Sequence, residues 1–234
     1  MKLILNGGGS GKQTAITNRL LDEIIDNSKP ILYVPLAMDK ERYPKCLEWI
    51  KGELSSVKCS GIDIAVSGEY IAKKNLSKYA AIFIGGGNTY KLLKELKDSG
   101  AFLNIKRYLK SGGVVIGGSA GSIIFGASID SCAYMDPNDV GLQDLSGFNM
   151  IGGMSFAAHY TNQSKEKTEA AKEFLLDYSK KKLVIALPEE DSLYIDNGVM
   201  KVIGGRNYYV FNKGRQIEFG PGADFVSQKI LPCR

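Results

Sequence analysis

The sequence predicts an α/β fold, a three-layer sandwich in which a mostly parallel sheet carries helices on both faces and a small antiparallel set of strands follows at the C-terminal end. Three observations lead to this prediction. The 234 residues, 44% of them hydrophobic, suit one domain over residues 1–234. Apolar runs of strand length alternate with segments of helical periodicity. Three of those runs end in glycine-rich loops, at the sheet edge where such folds bind ligands.

Five short apolar runs before residue 120 are typical of buried strands. They span residues 3–5, 31–36, 62–66, 80–84 and 114–116. Between them, apolar side chains recur at helical spacing in residues 13–25, 41–57, 89–96 and 102–110. Strands separated by helices in this order indicate a parallel sheet covered on both faces.

The last third of the chain has a different pattern. A helix over residues 165–178 precedes five short strand-like runs, at residues 183–187, 192–195, 200–203, 208–211 and 216–219. Asn197-Gly198 and Lys213-Gly214 provide turn chemistry between neighbouring runs. We therefore expect a small antiparallel group of strands at one edge, with no obvious chemistry of its own.

The segment Gly117-Gly118-Ser119-Ala120-Gly121 matches the G-x-S-x-G pattern of a nucleophile elbow. In such an elbow a buried strand turns sharply into a helix, and small residues two positions from the serine let the helix pass close to the strand. The serine oxygen then projects above the sheet, and the amide of Ala120 is placed to bind a developing oxyanion. The pattern is also common in plain glycine-rich turns, but the buried strand before it favours a nucleophile at Ser119.

A second glycine-rich loop, Gly85-Gly86-Gly87, follows the neighbouring predicted strand. Glycines allow a backbone to approach a ligand closely, so the amide of Gly87 or Asn88 is a candidate for the second oxyanion donor. Asn88 also suits the N-cap of the next helix, and the two roles are compatible.

His159 is the only histidine in the chain. A serine needs a neighbouring base to act as a nucleophile at neutral pH, and histidine suits this role. The apolar stretch Met154–Ala158 could be a strand that delivers His159 to the cleft. A carboxylate must orient the histidine; Asp130, Asp136, Asp139 and Asp144 lie between the two residues, and sequence physics alone does not choose among them.

These three motifs, in this order and spacing, resemble the dipeptidase E and cyanophycinase family of serine peptidases, whose fold is similar to that of class I glutamine amidotransferases. The resemblance covers residues 1–192. It implies that Ser119 attacks the substrate carbonyl, that His159 is the base, and that the amides of Gly87 and Ala120 form the oxyanion hole. It also implies a short peptide as substrate and no cofactor.

The resemblance further implies an orienting aspartate within an Asn-Asp pair after the elbow. Asn138-Asp139 fits this pair, so we predict Asp139 as the orienting residue, with Asp136 second. Some family members use a glutamate there, but the corresponding loop of this chain contains none.

Specificity for aspartyl peptides does not follow from the resemblance. The dipeptidase E members bind an N-terminal aspartate with an arginine downstream of the histidine, and residues 164–173 of this chain contain no arginine. The acidic residues of segment 187–191 could instead attract an amine or a basic group. Asn88 and Glu189 are therefore candidate substrate-binding residues.

Residues 6–14 suggest a phosphate-binding loop at first sight, but the spacing fails. The G-x-x-x-x-G-K-[ST] pattern would need glycine at Asn6 and serine or threonine at Gln13. We interpret the segment as a flexible strand-to-helix loop near the cleft, and a nucleotide-binding function is disfavoured.

Composition narrows the classes of partner, cellular location and cofactor that the chain can have. The formal charge of +5 is a mild excess spread along the chain, which disfavours nucleic acid as a partner. No apolar run approaches a membrane span or a signal peptide, so a cytoplasmic location is expected. One histidine and four unpaired cysteines predict no metal site. A homodimer is compatible with exposed edge strands. An esterase, a cyanophycinase-like isopeptidase of the same fold and a non-catalytic binding module stay open as alternatives.

Overall fold

A computed structural model describes residues 1–224; Cys233 and the end of the predicted domain lie outside them. The strands are β1 Lys2–Asn6, β2 Ile31–Val34, β3 Ile62–Ile64, β4 Ala81–Ile84, β5 Val114–Gly118, β6 Ser155–Ala157, β7 Val184–Ala186, β8 Ser192–Asp196, β9 Val199–Ile203, β10 Tyr208–Asn212 and β11 Arg215–Phe219. The α-helices are α1 Ala15–Ile24, α2 Tyr43–Glu53, α3 Gly68–Lys73, α4 Thr89–Asp98, α5 Ala101–Lys110, α6 Ala120–Ile123 and α7 Lys165–Tyr178.

Seven strands form the main sheet in the order β3-β2-β4-β5-β1-β8-β9. The first five in this order run parallel to their neighbours, while β8 and β9 join antiparallel beside β1. This confirms the predicted α/β class with a mostly parallel sheet.

The C-terminal strands are divided between two sheets, a detail the sequence did not predict. β8 and β9 extend the main sheet, whereas a second sheet has the order β11-β10-β7-β6. Its β10 pairs antiparallel with β7 and β11, but β6 and β7 are parallel. As a result, the segments that follow β6 and β7 leave the small sheet at the same edge.

Successive side chains of a strand point to opposite faces of the main sheet, and each face packs against its own layer of helices. In β1, Leu3 and Leu5 belong to the core that packs under α4, α5 and α6, whereas Ile4 faces the core that contains Leu21 of α1 and Ile50 of α2. All five of these side chains are fully buried. A sheet buried on both faces accounts for strands that are almost continuously apolar.

The parallel strands β1, β4 and β5 end at one edge of the main sheet, so their three glycine-rich loops meet there. Among residues 1–224, no helix is long and apolar enough to cross a lipid bilayer.

Candidate active site

Ser119 lies at the tip of a sharp turn between β5 and α6. Its backbone has φ 54° and ψ −116°, a conformation that is unfavourable for a residue with a side chain. A Cβ on Gly117 would lie 2.3 Å from the carbonyl oxygen of Gly121, and a Cβ on Gly121 would lie 2.0 Å from that of Ile84. Both small residues are therefore required for the helix to pass this close to the strands, as the elbow pattern predicts.

His159 follows β6, the strand predicted to deliver it, and its ring meets the serine. The Ser119 Oγ lies 2.8 Å from His159 Nε2. The backbone N–H of His159 donates to the carbonyl of Gly7 at 2.8 Å. His159 has φ 57°, so its backbone is also held in the left-handed region. The structure thus brings together the two predicted residues, which lie 40 positions apart in the chain.

The carboxylate that contacts His159 belongs to Glu189, not to Asp139. His159 Nδ1 lies 2.8 Å from Glu189 Oε1. Because a carboxylate only accepts hydrogen bonds, Nδ1 carries the proton and Nε2 is free to accept the proton of Ser119. The second oxygen of Glu189 accepts from Gln13 Nε2 at 3.0 Å. Glu189 does not line the cavity at Ser119, and its carboxylate is used to hold His159 and Gln13, so the geometry does not favour its predicted substrate-binding role.

The four aspartates considered from the sequence have other surroundings. Asp139 is exposed and makes no hydrogen bond to His159. Asp136 accepts from the Thr89 backbone N–H at 2.9 Å and so caps α4. Asp130 and Asp144 pair with lysines, Lys182 at 2.6 Å and Lys97 at 2.7 Å respectively.

The first glycine-rich loop forms a closely fitted support for the histidine and glutamate. A Cβ on Gly8, whose φ is +111°, would lie 2.2 Å from His159 Cε1. On Gly7 it would lie 2.0 Å from the carbonyl oxygen of Pro188, and on Gly9 it would lie 2.4 Å from that of Glu189. The loop is therefore a packing surface that only glycine can form, which corrects the interpretation of the segment as merely flexible.

The candidate oxyanion donors lie beside the serine. Gly86 and Gly87 both line the cavity at Ser119, and a Cβ on Gly86 would lie 3.1 Å from the Ser119 Cβ. Within residues 1–224, the amides of Gly87 and Ala120 have no hydrogen-bond acceptor. Gly87 lines the cavity, whereas Ala120 is buried directly after Ser119, and both unpaired amides remain candidates to bind an oxygen of a ligand.

Asn88 serves the N-terminus of α4. Its side-chain oxygen accepts from the Lys91 backbone N–H at 2.9 Å, and its amide donates to the Pro137 carbonyl at 2.8 Å. The side chain is thus used for capping, and it does not line the cavity at Ser119. Its predicted contact with substrate gains no support from this geometry.

Asp191 is a fully buried acid next to the Glu189 segment. Burial raises the pKa of Asp191 to about 6, against hydrogen bonds from backbone amides that lower it. Its Oδ1 accepts from the Arg206 backbone N–H at 3.2 Å, whereas Oδ2 has no partner among the described residues. Its carbonyl accepts from the Gly7 N–H at 2.9 Å, which links this acid to the support under His159.

A cavity of about 270 Å³ opens at Ser119 and His159. Trp49, Phe83 and Ile116 form its apolar side, and Glu53 is the one acidic side chain among the described residues that line it. Within residues 1–224, no three His, Cys, Asp or Glu side chains cluster as metal ligands. The described cysteines, Cys46, Cys59 and Cys132, form no disulfide.

A serine, a histidine and a carboxylate joined in this order, at the carboxyl edge of an α/β sheet, have the arrangement of a serine hydrolase site. The model of peptidase family S51 matches residues 3–203. The chain therefore belongs to peptidase family S51.

Curated relatives agree with this assignment. Peptidase E of Citrobacter koseri is 31% identical over 142 residues, 58% of this chain and 60% of its own length. Peptidase E of Salmonella arizonae is 32% identical over 149 residues, and the chain spans 62% of its length. Peptidase E of Shewanella denitrificans is 26% identical over 209 residues, 86% of each chain.

Solved structures show the same fold. The crystal structure of a peptidase from an acI-B1 actinobacterium has a TM-score of 0.73 at 19% identity and covers 95% of both chains. A protein from Listeria monocytogenes EGD-e, whose name refers to peptidase E, has a TM-score of 0.66 at 24% identity and covers 87% of this chain and 98% of its own.

Proposed function

We propose that this chain is a serine peptidase that hydrolyses short peptides through an acyl-enzyme, with Ser119 as nucleophile, His159 as base and Glu189 as the residue that orients His159. One observation carries the proposal. A continuous hydrogen-bonded chain runs from Ser119 Oγ to His159 and on to Glu189, with both separations 2.8 Å. Membership of peptidase family S51 supports the reaction class.

In the first half of the reaction, Nε2 of His159 takes the proton of Ser119 while Oγ attacks the carbonyl carbon of the scissile bond. The negative charge that develops on the carbonyl oxygen is bound by the amides of Gly87 and Ala120. His159, now an imidazolium held by the Glu189 carboxylate, gives its proton to the leaving amine as the C–N bond breaks.

In the second half, a water molecule loses a proton to Nε2 of His159 and attacks the ester at Ser119. The tetrahedral adduct then collapses, the proton returns to Ser119, and the free acid leaves. The carboxylate of Glu189 keeps its charge throughout, so no net proton is taken up or released by the triad.

The size of the site supports a short substrate. The cavity of about 270 Å³ beside Ser119 is near the lower end of the range for small-molecule sites. It suits one or two amino acid residues better than a folded chain. Peptide hydrolysis is therefore favoured over action on large proteins, and an esterase or an isopeptidase is the second candidate because the same chemistry would serve it.

The test is covalent labelling with an uncharged fluorophosphonate probe, followed by hydrolysis of a dipeptide panel and matched ester and isopeptide substrates. We expect the wild type to label at one site, and Ser119→Ala and His159→Ala to lose both labelling and hydrolysis. Ser122→Ala is unsuitable as a control, because Ser122 Oγ is buried and donates to the carbonyls of Asn6 and Gly117. Ser56→Ala, at an exposed position away from the cavity, is the better control serine. Wild-type protein that neither labels nor hydrolyses any of these substrates would refute the proposal.

The cytoplasmic location and the homodimer stay predictions from the sequence. Fractionation of cells that express the chain, and light scattering of the purified protein, would test them.

A further inference from the structure

Two neighbouring cavities lie near the elbow, and the charged side chains that line them are of opposite sign. The first, at Ser119, has Glu53 as its charged side chain. The second, of about 330 Å³, is lined by Arg42 and Lys45 and has no acidic side chain among the described residues that form it. Both cavities are lined by Trp49 and Gly86, so the two are adjacent.

The carboxyl group of Glu53 has only neutral partners in the first cavity. Glu53 ends α2, and its carboxylate accepts hydrogen bonds from the Gly11 backbone N–H at 2.7 Å, from Asn18 Nδ2 at 3.2 Å and from the Thr14 hydroxyl. All three donors are neutral, and within residues 1–224 no lysine or arginine pairs with Glu53. These hydrogen bonds hold the carboxylate in one position without cancelling its charge.

The second cavity has the opposite balance. Arg42 and Lys45 are exposed, and neither makes an ion pair with a described residue. Trp49 stands between the cavities, and its ring lies 6.3 Å from the ring of Tyr33 and 6.1 Å from that of Phe83. Its side chain therefore forms an apolar wall shared by the two cavities.

We propose that Glu53 and the Arg42–Lys45 pair select a zwitterionic short peptide, with a cationic group of the acyl part at Glu53 and the carboxylate of the leaving part at Arg42 and Lys45. The proposal rests on the proposed function and names its substrate class. The cation is either the free α-amine or a lysine or arginine side chain, since both present N–H donors to a carboxylate. The scissile carbonyl would then lie at the junction of the cavities, beside Ser119.

Binding is measured first, because it does not depend on turnover. Isothermal titration of Lys-Ala into Ser119→Ala protein is compared with titration into proteins that also carry Glu53→Gln or Glu48→Gln. Glu48 is the matched control, an exposed acid on the same helix that lines neither cavity. We expect Glu53→Gln to weaken binding about 10-fold or more, as for loss of a charge-assisted hydrogen bond, and Glu48→Gln to have no effect.

The source of the cation is separated by titrating Ala-Ala, which has only the α-amine, and N-acetyl-Lys-Ala, which has only the side-chain amine. The ligand whose affinity falls in the Glu53→Gln protein identifies the group bound there. Arg42→Ala with Lys45→Ala should weaken Ala-Ala but leave its C-terminal amide unchanged, and Lys51→Ala on the same helix is the control. These exposed positions give a test that does not depend on the folding of the Glu53 variant.

Hydrolysis and labelling then separate the two proposals. If the wild type reacts with the fluorophosphonate and Glu53→Gln reacts at the same rate but loses at least 10-fold in kcat/KM for the cationic substrate, both proposals are supported. If Glu53→Gln lowers binding of every ligand, neutral ones included, together with the labelling rate and the melting temperature, Glu53 is structural and the inference is wrong. The inference is also wrong if Lys-Ala binds equally well to Ser119→Ala protein with and without Glu53→Gln, or if it shows no saturable binding at millimolar concentration. Either result counts against it whatever the labelling shows.

Discussion

Replacement of Glu189 by glutamine removes the negative charge beside His159 and keeps the shape of the side chain. In the wild type, Glu189 Oε1 accepts from His159 Nδ1 at 2.8 Å and Oε2 accepts from Gln13 at 3.0 Å. Gln13 carries a side-chain amide that can rotate its oxygen toward the new amide group of residue 189. The bond between residues 13 and 189 can therefore survive, at the cost of the 3.3 Å bond that the exposed Ser10 N–H donates to Gln13 Oε1, and the loss is mainly electrostatic.

The magnitude follows from the geometry of the pair. Charges centred about 4 Å apart attract by about 4 kcal/mol at an effective dielectric constant near 20. The His159 and Glu189 side chains are 22% and 24% exposed, so solvent screening lowers this to about 2 to 4 kcal/mol. Because His159 becomes an imidazolium when it takes the proton of Ser119, the loss falls on the transition state and predicts a rate about 30- to 1,000-fold lower.

The assay is the second-order rate of fluorophosphonate labelling and kcat/KM for the best dipeptide, with Ser119→Ala as baseline. Two matched variants complete it. Glu190→Gln removes the adjacent acid, which bonds Asn162 at 3.0 Å and Arg206 at 3.2 Å instead of His159, and Asp139→Asn removes the exposed acid first predicted for this role. Both should stay within about threefold of wild type, in the range of an exposed or weakly coupled charge. Activity in Glu189→Gln above one third of wild type, or a larger loss in Asp139→Asn, would refute the role given to Glu189.

Two further predictions concern the support of the site. Gly8→Ala should displace the imidazole and lower the labelling rate by at least about 100-fold. The control is Gly112→Ala, because Gly112 has a similar φ of +96° but open space where a Cβ would lie; it should cost a similar 1 to 2 kcal/mol of backbone strain and leave labelling intact. An equal loss of labelling in both variants would contradict a clash between the Gly8 Cβ and His159. The pKa of Asp191 is about 6 in the folded protein against an ordinary 3.8, so folding favours the protonated form of this acid. The stability that the protonated acid contributes is therefore lost as pH rises from about 4 through 6. Urea unfolding should show a drop in the free energy of unfolding of about 3 kcal/mol across this window that is absent in Asp191→Asn, and parallel curves for the two proteins would show that Asp191 does not titrate there.

Much of the fold could be predicted because strand and helix patterns are local. The α7 helix has the bounds expected from its periodicity, and each predicted strand exists to within a few residues. The six-residue α3 was missed because a single turn and a half gives too few periodic positions. The division of the C-terminal strands between two sheets depends on which distant strand each one pairs with. Turn chemistry does not encode that choice.

The site was predictable only in part, for the same reason. Ser119 and His159 follow from a local motif and from the single histidine, but the orienting carboxylate was sought between them, where the resemblance placed it. Glu189 lies 30 residues after His159. In the structure, strands β6 and β7 are parallel neighbours, so residues that follow them emerge at one edge, and a carboxylate just after β7 lies beside a histidine just after β6. The sequence alone did not reveal this pairing.

The loop after β1 explains how three distant segments reach one geometry. The carbonyl of Gly7 accepts from the His159 N–H at 2.8 Å, the Gly9 N–H donates to the Glu189 carbonyl at 3.2 Å, and the Ser119 N–H donates to the last residue of β1 at 3.4 Å. Each segment that carries a reacting or orienting side chain is thus bonded through its backbone to the same few residues. At the closest contacts, a side chain larger than that of glycine would clash with the neighbouring backbone or with the His159 ring. The packing of the triad therefore explains the glycine-rich sequence that resembles a phosphate-binding loop, with no bound phosphate required.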